Sequence, residues 1–105
     1  MTVIDSTQAK AVFAVIDAYD HPHGGRILRL RLRRGEAPAI KELKSGTLVA
    51  GTGDGPETRI QVDGFALFGG RVSDARLART GRVDVHVRDE AARNVATGWS
   101  LRLPS

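Results

Sequence analysis

Arginine recurs at every second position over residues 29–33, where Arg29, Arg31 and Arg33 alternate with Leu28, Leu30 and Leu32. Period two belongs to a strand with one face on a core and the other in water. A helix would scatter the same arginines around its circumference. On a strand, alternate residues stand ~6.6–6.8 Å apart, which nearly matches the phosphate spacing of a single nucleic-acid strand. Guanidinium groups fork onto phosphate and carboxylate oxygens, so the stripe suits an anionic partner. Arg26 is expected to extend it, and Arg34, Lys41 and Lys44 to add charge from adjacent loops. The competing explanation is solubility, because charge commonly protects an edge or solvent-facing strand. With one Trp, one Tyr and three Phe, mostly in apolar strand positions, base stacking is not expected to contribute.

Two other constellations have the residue types of an active site. His21-Pro22-His23 with Asp17 and Asp20 could ligate zinc or nickel, but such a site needs three or four convergent ligands. Two histidines flanking a proline in a turn read instead as a solvated hairpin tip. Asp84 and His86 lie two apart on one strand face, with Arg88 beyond, and an acid orienting an imidazole is half of a catalytic triad. No nucleophile stands beside them; Ser73 and Ser100 are candidates only by elimination. Polar cross-strand packing is the simpler reading. Asp89-Glu90 reads as turn residues after a strand, so no general acid–base pair is identified. Trp99 reads as a core or barrel-mouth plug. No catalytic residue, metal or cofactor is expected.

The composition fits one domain. There are 105 residues, 41% of them hydrophobic and 27% charged. The formal charge of +4 comes mostly from arginine and favours an anionic partner. Cysteine is absent, which excludes disulfides and thiolate metal sites and agrees with a cytoplasmic location. Residues 1–10 lack the basic start and apolar run of a signal peptide, and no segment approaches the ~20 apolar residues of a membrane span.

The elements that would position these residues are strands. Residues 1–10 read as a loose lead-in, and residues 11–105 as a single domain. Residues 11–19 form a buried strand, broken by the turn at residues 21–25. The arginine strand follows, then a loop through Pro38, a turn at residues 43–46 and a short strand to Ala50. Gly51-Thr52-Gly53-Asp54-Gly55-Pro56 is a turn. Residues 58–68 form a strand region in which Gly64 invites a bulge or bend. Residues 71–80 are ambiguous; Ser73 could cap a single helical turn. Residues 82–88 alternate again, with Val83, Val85 and Val87 opposite Asp84, His86 and Arg88. A polar connection leads to a last strand over residues 99–103. The expected fold is all-β: a small closed or partly closed β-barrel of six to seven mostly antiparallel strands, with at most one short helical turn.

The order of these segments resembles the β-barrel second domain of translational GTPases of the elongation factor Tu kind. Phe13-Ala14-Val15-Ile16-Asp17-Ala18-Tyr19 is similar to that family's opening strand. Gly25 and the strand ending Leu32-Arg33-Arg34-Gly35 resemble its Gly-strand-Arg-Gly segment. Leu43-Lys44-Ser45-Gly46-Thr47-Leu48-Val49 resembles the turn that follows. Residues 62–68, 83–88 and 95–101 are similar to its later strands, with Pro104 in the usual place. The departures are Leu30 and Asp84 where glycines are common, a longer loop over residues 36–41, and the missing GTPase domain. No Gly-x-x-x-x-Gly-Lys-(Ser/Thr) occurs, so GTP binding is not expected. The resemblance implies a fold and a place in translation. The leading expectation is a non-enzymatic binding module that engages RNA or a ribonucleoprotein through its arginine-rich strand. The alternative is a protein-interaction module that binds an acidic partner or self-associates.

Overall fold

The computed structural model describes residues 9–53, 55–66, 73–88 and 90–104. Most of the expected lead-in, Asp54 of the turn, the end of the strand region at residues 67–68, Gly69-Gly70, Arg71 and Asp89 lie outside the described residues. The strands are β1 (Ala9–Asp20), β2 (Arg26–Gly35), β3 (Thr47–Gly51), β4 (Thr58–Gln61), β5 (Gly64–Phe65), β6 (Arg82–Val87) and β7 (Ser100–Pro104). All pair antiparallel in one sheet of order β4-β3-β7-β1-β2-β6-β5.

This sheet curls into a half-barrel. The two edge strands, β4 and β5, are separated in the chain only by Val62 and Asp63. One short stretch therefore hydrogen-bonds to β3 at one edge and to β6 at the other. The Asp63 N–H donates to the His86 carbonyl at 2.8 Å, and the Ala66 N–H to Asp84 at 3.0 Å. An open flat sheet cannot satisfy both pairings, so the chain itself draws the edges together. The bend falls just before Gly64, where the sequence invites one. Two register shifts in the β1–β2 pair, one between Val12 and Phe13 and one between Val15 and Asp17, add the coiling that such closure needs.

The β1–β2 hairpin turns at residues 21–25, where Gly24 and Gly25 take positive φ. Gly25 is also sterically constrained, since a Cβ there would lie 2.7 Å from the Val87 carbonyl oxygen. Inside the barrel, Phe13 and Val15 of β1, Leu28 and Leu30 of β2, Leu48, Ile60, Val85 and Leu101 are buried. Trp99 packs half-buried against this core, as a plug.

Helical segments are more numerous than the single turn expected. Helix α2 (Asp74–Thr80) begins at Ser73, whose hydroxyl accepts from the Arg76 N–H at 3.1 Å, and ends at Gly81 with φ 68°. Helix α1 (Ile40–Ser45) occupies what reads in sequence as loop and turn. Its first residue after Ala39 is held from outside, the Ile40 N–H donating to Asp74 Oδ1 at 2.7 Å. A 3-10 helix (Glu90–Asn94) forms the polar connection. Leu43 of α1 and Leu77 of α2 are buried in the barrel core, as is Ala92 of the 3-10 helix. These short helices are anchored by apolar residues that strands alone leave uncovered. Among the described residues, no helix is long and apolar enough to cross a membrane.

Candidate nucleic-acid interface

Period two on β2 puts Leu28, Leu30 and Leu32 toward the core and Arg29, Arg31 and Arg33 on the outer face. The neighbours of each arginine follow from the register. Arg29 lies between Asp17 of β1 and Asp84 of β6. Its Nε donates to Asp84 Oδ1 at 3.3 Å, and the Asp84 carboxylate is largely covered. Arg29 is thus flanked by acid on both sides.

Arg31 has different company. Its partners are Ala14 on β1 and Arg82 on β6. Both guanidinium groups are on exposed residues, and neither has an acidic partner among the described residues. Arg33 is exposed at the register shift, where β1 passes from Phe13, opposite Leu32, to Val12, opposite Arg34. Arg34 is exposed and engaged in an interaction within the chain. Helix α2 runs into β6 through Gly81, whose carbonyl accepts from the Leu32 N–H at 2.6 Å. Exposed Arg76 and Arg79 of that helix therefore join the same end of the barrel.

Lys41 and Lys44 are exposed on α1, not in loops, and lie at the end of the barrel where β2 finishes. Nearby, Glu42 forms an ion pair with Lys10 and accepts from the Ala39 N–H at 3.3 Å. The Lys10 bond, reinforced by that N–H, holds the Glu42 carboxyl below its ordinary value.

Arg26 leaves the stripe. Its even number places it on the same face as Leu28, at the hairpin end of the barrel. It is half-buried there, with Nη1 donating to Asp20 at 3.0 Å and Nη2 to the Val95 carbonyl at 3.1 Å. Of the predicted residues, then, the fold keeps Arg31, Arg33 and Arg34 together with α1's lysines at one end. It neutralises Arg29 in the middle and sends Arg26 to the other end. Arg82 is the residue that the sequence reading missed. Its parity with Asp84 and His86 marks it as outward, but only the pairing register places it against Arg31.

The two enzyme-like constellations resolve differently. All three histidines of the chain gather at the hairpin end, with His21–His23 ring centroids 5.5 Å apart and His21–His86 4.6 Å. The His23 N–H donates to His21 Nδ1 at 3.1 Å, and His86 Nε2 donates to the Gly24 carbonyl at 2.9 Å. Partial desolvation, then the charges of His86, His23 and Arg88, hold the His21 pKa below its ordinary value of 6.5. Among the described residues no group of three or more His, Cys, Asp or Glu is arranged to hold a metal ion. Asp84 turns to Arg29 and His86 to Gly24, so acid and imidazole do not form a dyad. Ser73 is occupied as the cap of α2, and Ser100 pairs with Ala14 and Gly51 on strands away from β6.

No known family model, no curated protein and no solved structure matches this chain.

Proposed function

We propose that this chain is a non-enzymatic module that binds RNA, or the RNA of a ribonucleoprotein, through the outer face of β2 and β6, acting in the cytoplasm. The observation that carries this reading is the Arg31–Arg82 pair. Like charges directly opposite across two strands destabilise a sheet. An external phosphate between two such guanidinium groups turns repulsion into two charge-assisted contacts. Ala14, on the other flank of Arg31, is too small to cover it. Arg33 continues the cationic track one alternate position along the strand, at the spacing of successive phosphates. The segment-by-segment resemblance to the second domain of translational GTPases points to the same partner class. With few aromatics available, contacts would go to the backbone and not to base faces, giving little sequence preference.

Fluorescence anisotropy with a labelled single-stranded RNA tests the reading. The Arg31→Ala/Arg82→Ala double variant should weaken binding by at least about tenfold, since each phosphate contact is charge-assisted. Binding equal to the parent's would overturn it. Capture of one stoichiometric acidic protein, with no affinity for RNA, would favour the interaction module instead.

A further inference from the structure

The hairpin end of the barrel, remote from the proposed RNA face, carries an open cavity of about 260 Å³ lined by Asp20, Gly25, Arg26, Arg88, Glu90 and Arg93. It is built from four separate parts of the chain: the end of β1, the start of β2, the residue after β6 and the 3-10 helix. Its lining is charged, with three guanidinium groups against two carboxylates, a net charge of +1.

The acids do not cancel the arginines evenly. Asp20 is taken by Arg26 Nη1, and Arg26 Nη2 by the Val95 carbonyl. Arg26 Nε remains: it is buried and has no hydrogen-bond acceptor among the described residues. A buried charged donor without an acceptor is costly, and such groups are rarely left so in a folded protein. Arg88 and Arg93 are exposed and have no ion-pair partner among the described residues. The Arg88 backbone is fixed, its N–H donating to Asp63 Oδ2 at 2.6 Å. Gly25 lets the hairpin backbone close on β6 at this point, since a side chain there would meet Val87 and His86. His86 lies against Gly25 at this point, and the His21 ring stacks on it with centroids 4.6 Å apart.

We infer that this cavity is an anion site for a phosphate group, either free inorganic phosphate or the phosphoryl end of a small metabolite. Arg88 and Arg93 would fork onto its oxygens, with the third cation, Arg26, on the wall. A phosphate dianion suits the two guanidinium groups of Arg88 and Arg93, with Arg26 behind them, better than a single carboxylate does, because it carries more charge and more acceptor oxygens. The inference stands apart from the RNA reading, since the two sites share no residue.

Amide chemical-shift titration of the full chain with inorganic phosphate, at constant ionic strength, tests it. Saturable shifts are expected at Gly25, Arg88 and Arg93. Arg93→Ala should weaken the affinity by about tenfold, the loss of one charge-assisted contact. Glu90→Gln, which removes an opposing charge, should tighten it. The Arg31→Ala/Arg82→Ala variant should leave it unchanged, which separates this site from the RNA face. Comparison of phosphate with a small phosphomonoester distinguishes the two sources: the tighter one is the occupant. Linear, unsaturable shifts spread over all arginines would overturn the inference. So would acetate binding as tightly as phosphate, or loss of phosphate binding in the Arg31/Arg82 variant.

Discussion

Arg29 and Arg31 are two residues apart, on the same face of the same strand, and yet they are chemically opposite. Arg29 lies between Asp17 and Asp84 and donates to Asp84 at 3.3 Å. Arg31 lies between Ala14 and Arg82. The first is a cross-strand ion pair of the kind that holds a sheet together. The second is a like-charge pair that an external anion would stabilise. Alternation in one strand shows which residues face water. What each does there depends on the two strands alongside.

The comparison can be broken or sharpened by substitution. The largest effect is expected in the core shared by both halves. Leu30→Ala should lower unfolding stability by about 2–5 kcal/mol, measured by denaturant titration, because it empties a fully buried site beneath both arginines. Ser73→Ala removes the cap of the helix that leads into Arg82 and should cost ~1 kcal/mol by the same measurement. Arg82→Glu is the sharper probe. It converts the repulsive pair into an attractive one, so stability should rise by about 0.2–1 kcal/mol while RNA affinity falls. A variant that lost stability would mean that Arg82 is not facing Arg31. Arg29→Ala should cost roughly 0–1 kcal/mol, because its pair with Asp84 is only partly covered.

The smallest expected effect is on pH dependence. His21 titrates below its ordinary value of 6.5 in the folded chain, because partial desolvation and the charges of His86, His23 and Arg88 oppose its protonation. The unfolded chain thus binds the proton more readily. Stability should fall as pH drops through 6.5 and level off below the folded value. The carboxylates at this end of the barrel, Asp20 and Asp63, are engaged by Arg26 and by the Arg88 N–H. His21→Asn should flatten this segment of the stability curve, as thermal melts between pH 5 and 8 on either side of the histidine range would read out.

The strands were largely legible. Alternation marked β2 and β6, paired glycines marked the first hairpin, and a bend was expected at Gly64, close to where the chain passes from one sheet edge to the other. Ser73 announced α2. Helix α1 was hidden because Ala39 offers no capping oxygen, and its N-terminus is held instead by Asp74, far along the chain. The register shifts beside Arg33 and Asp17 were equally hidden, since they depend on pairing. In the site, Arg26 was expected to extend the stripe, although its even spacing with Leu28, Leu30 and Leu32 puts it on their face instead. Arg82 opposite Arg31 was not readable, because sequence carries no register between strands that are 51 positions apart (82 less 31).

The salt dependence of RNA binding tests the central claim most directly. If phosphates meet Arg31 and Arg82, the double alanine variant should reduce the slope of log affinity against log salt by about 1.4, at ~0.7 for each contact with a single strand. Arg29→Ala should leave the slope as in the parent. A slope lowered equally by Arg29→Ala, or untouched by the double variant, would contradict the account.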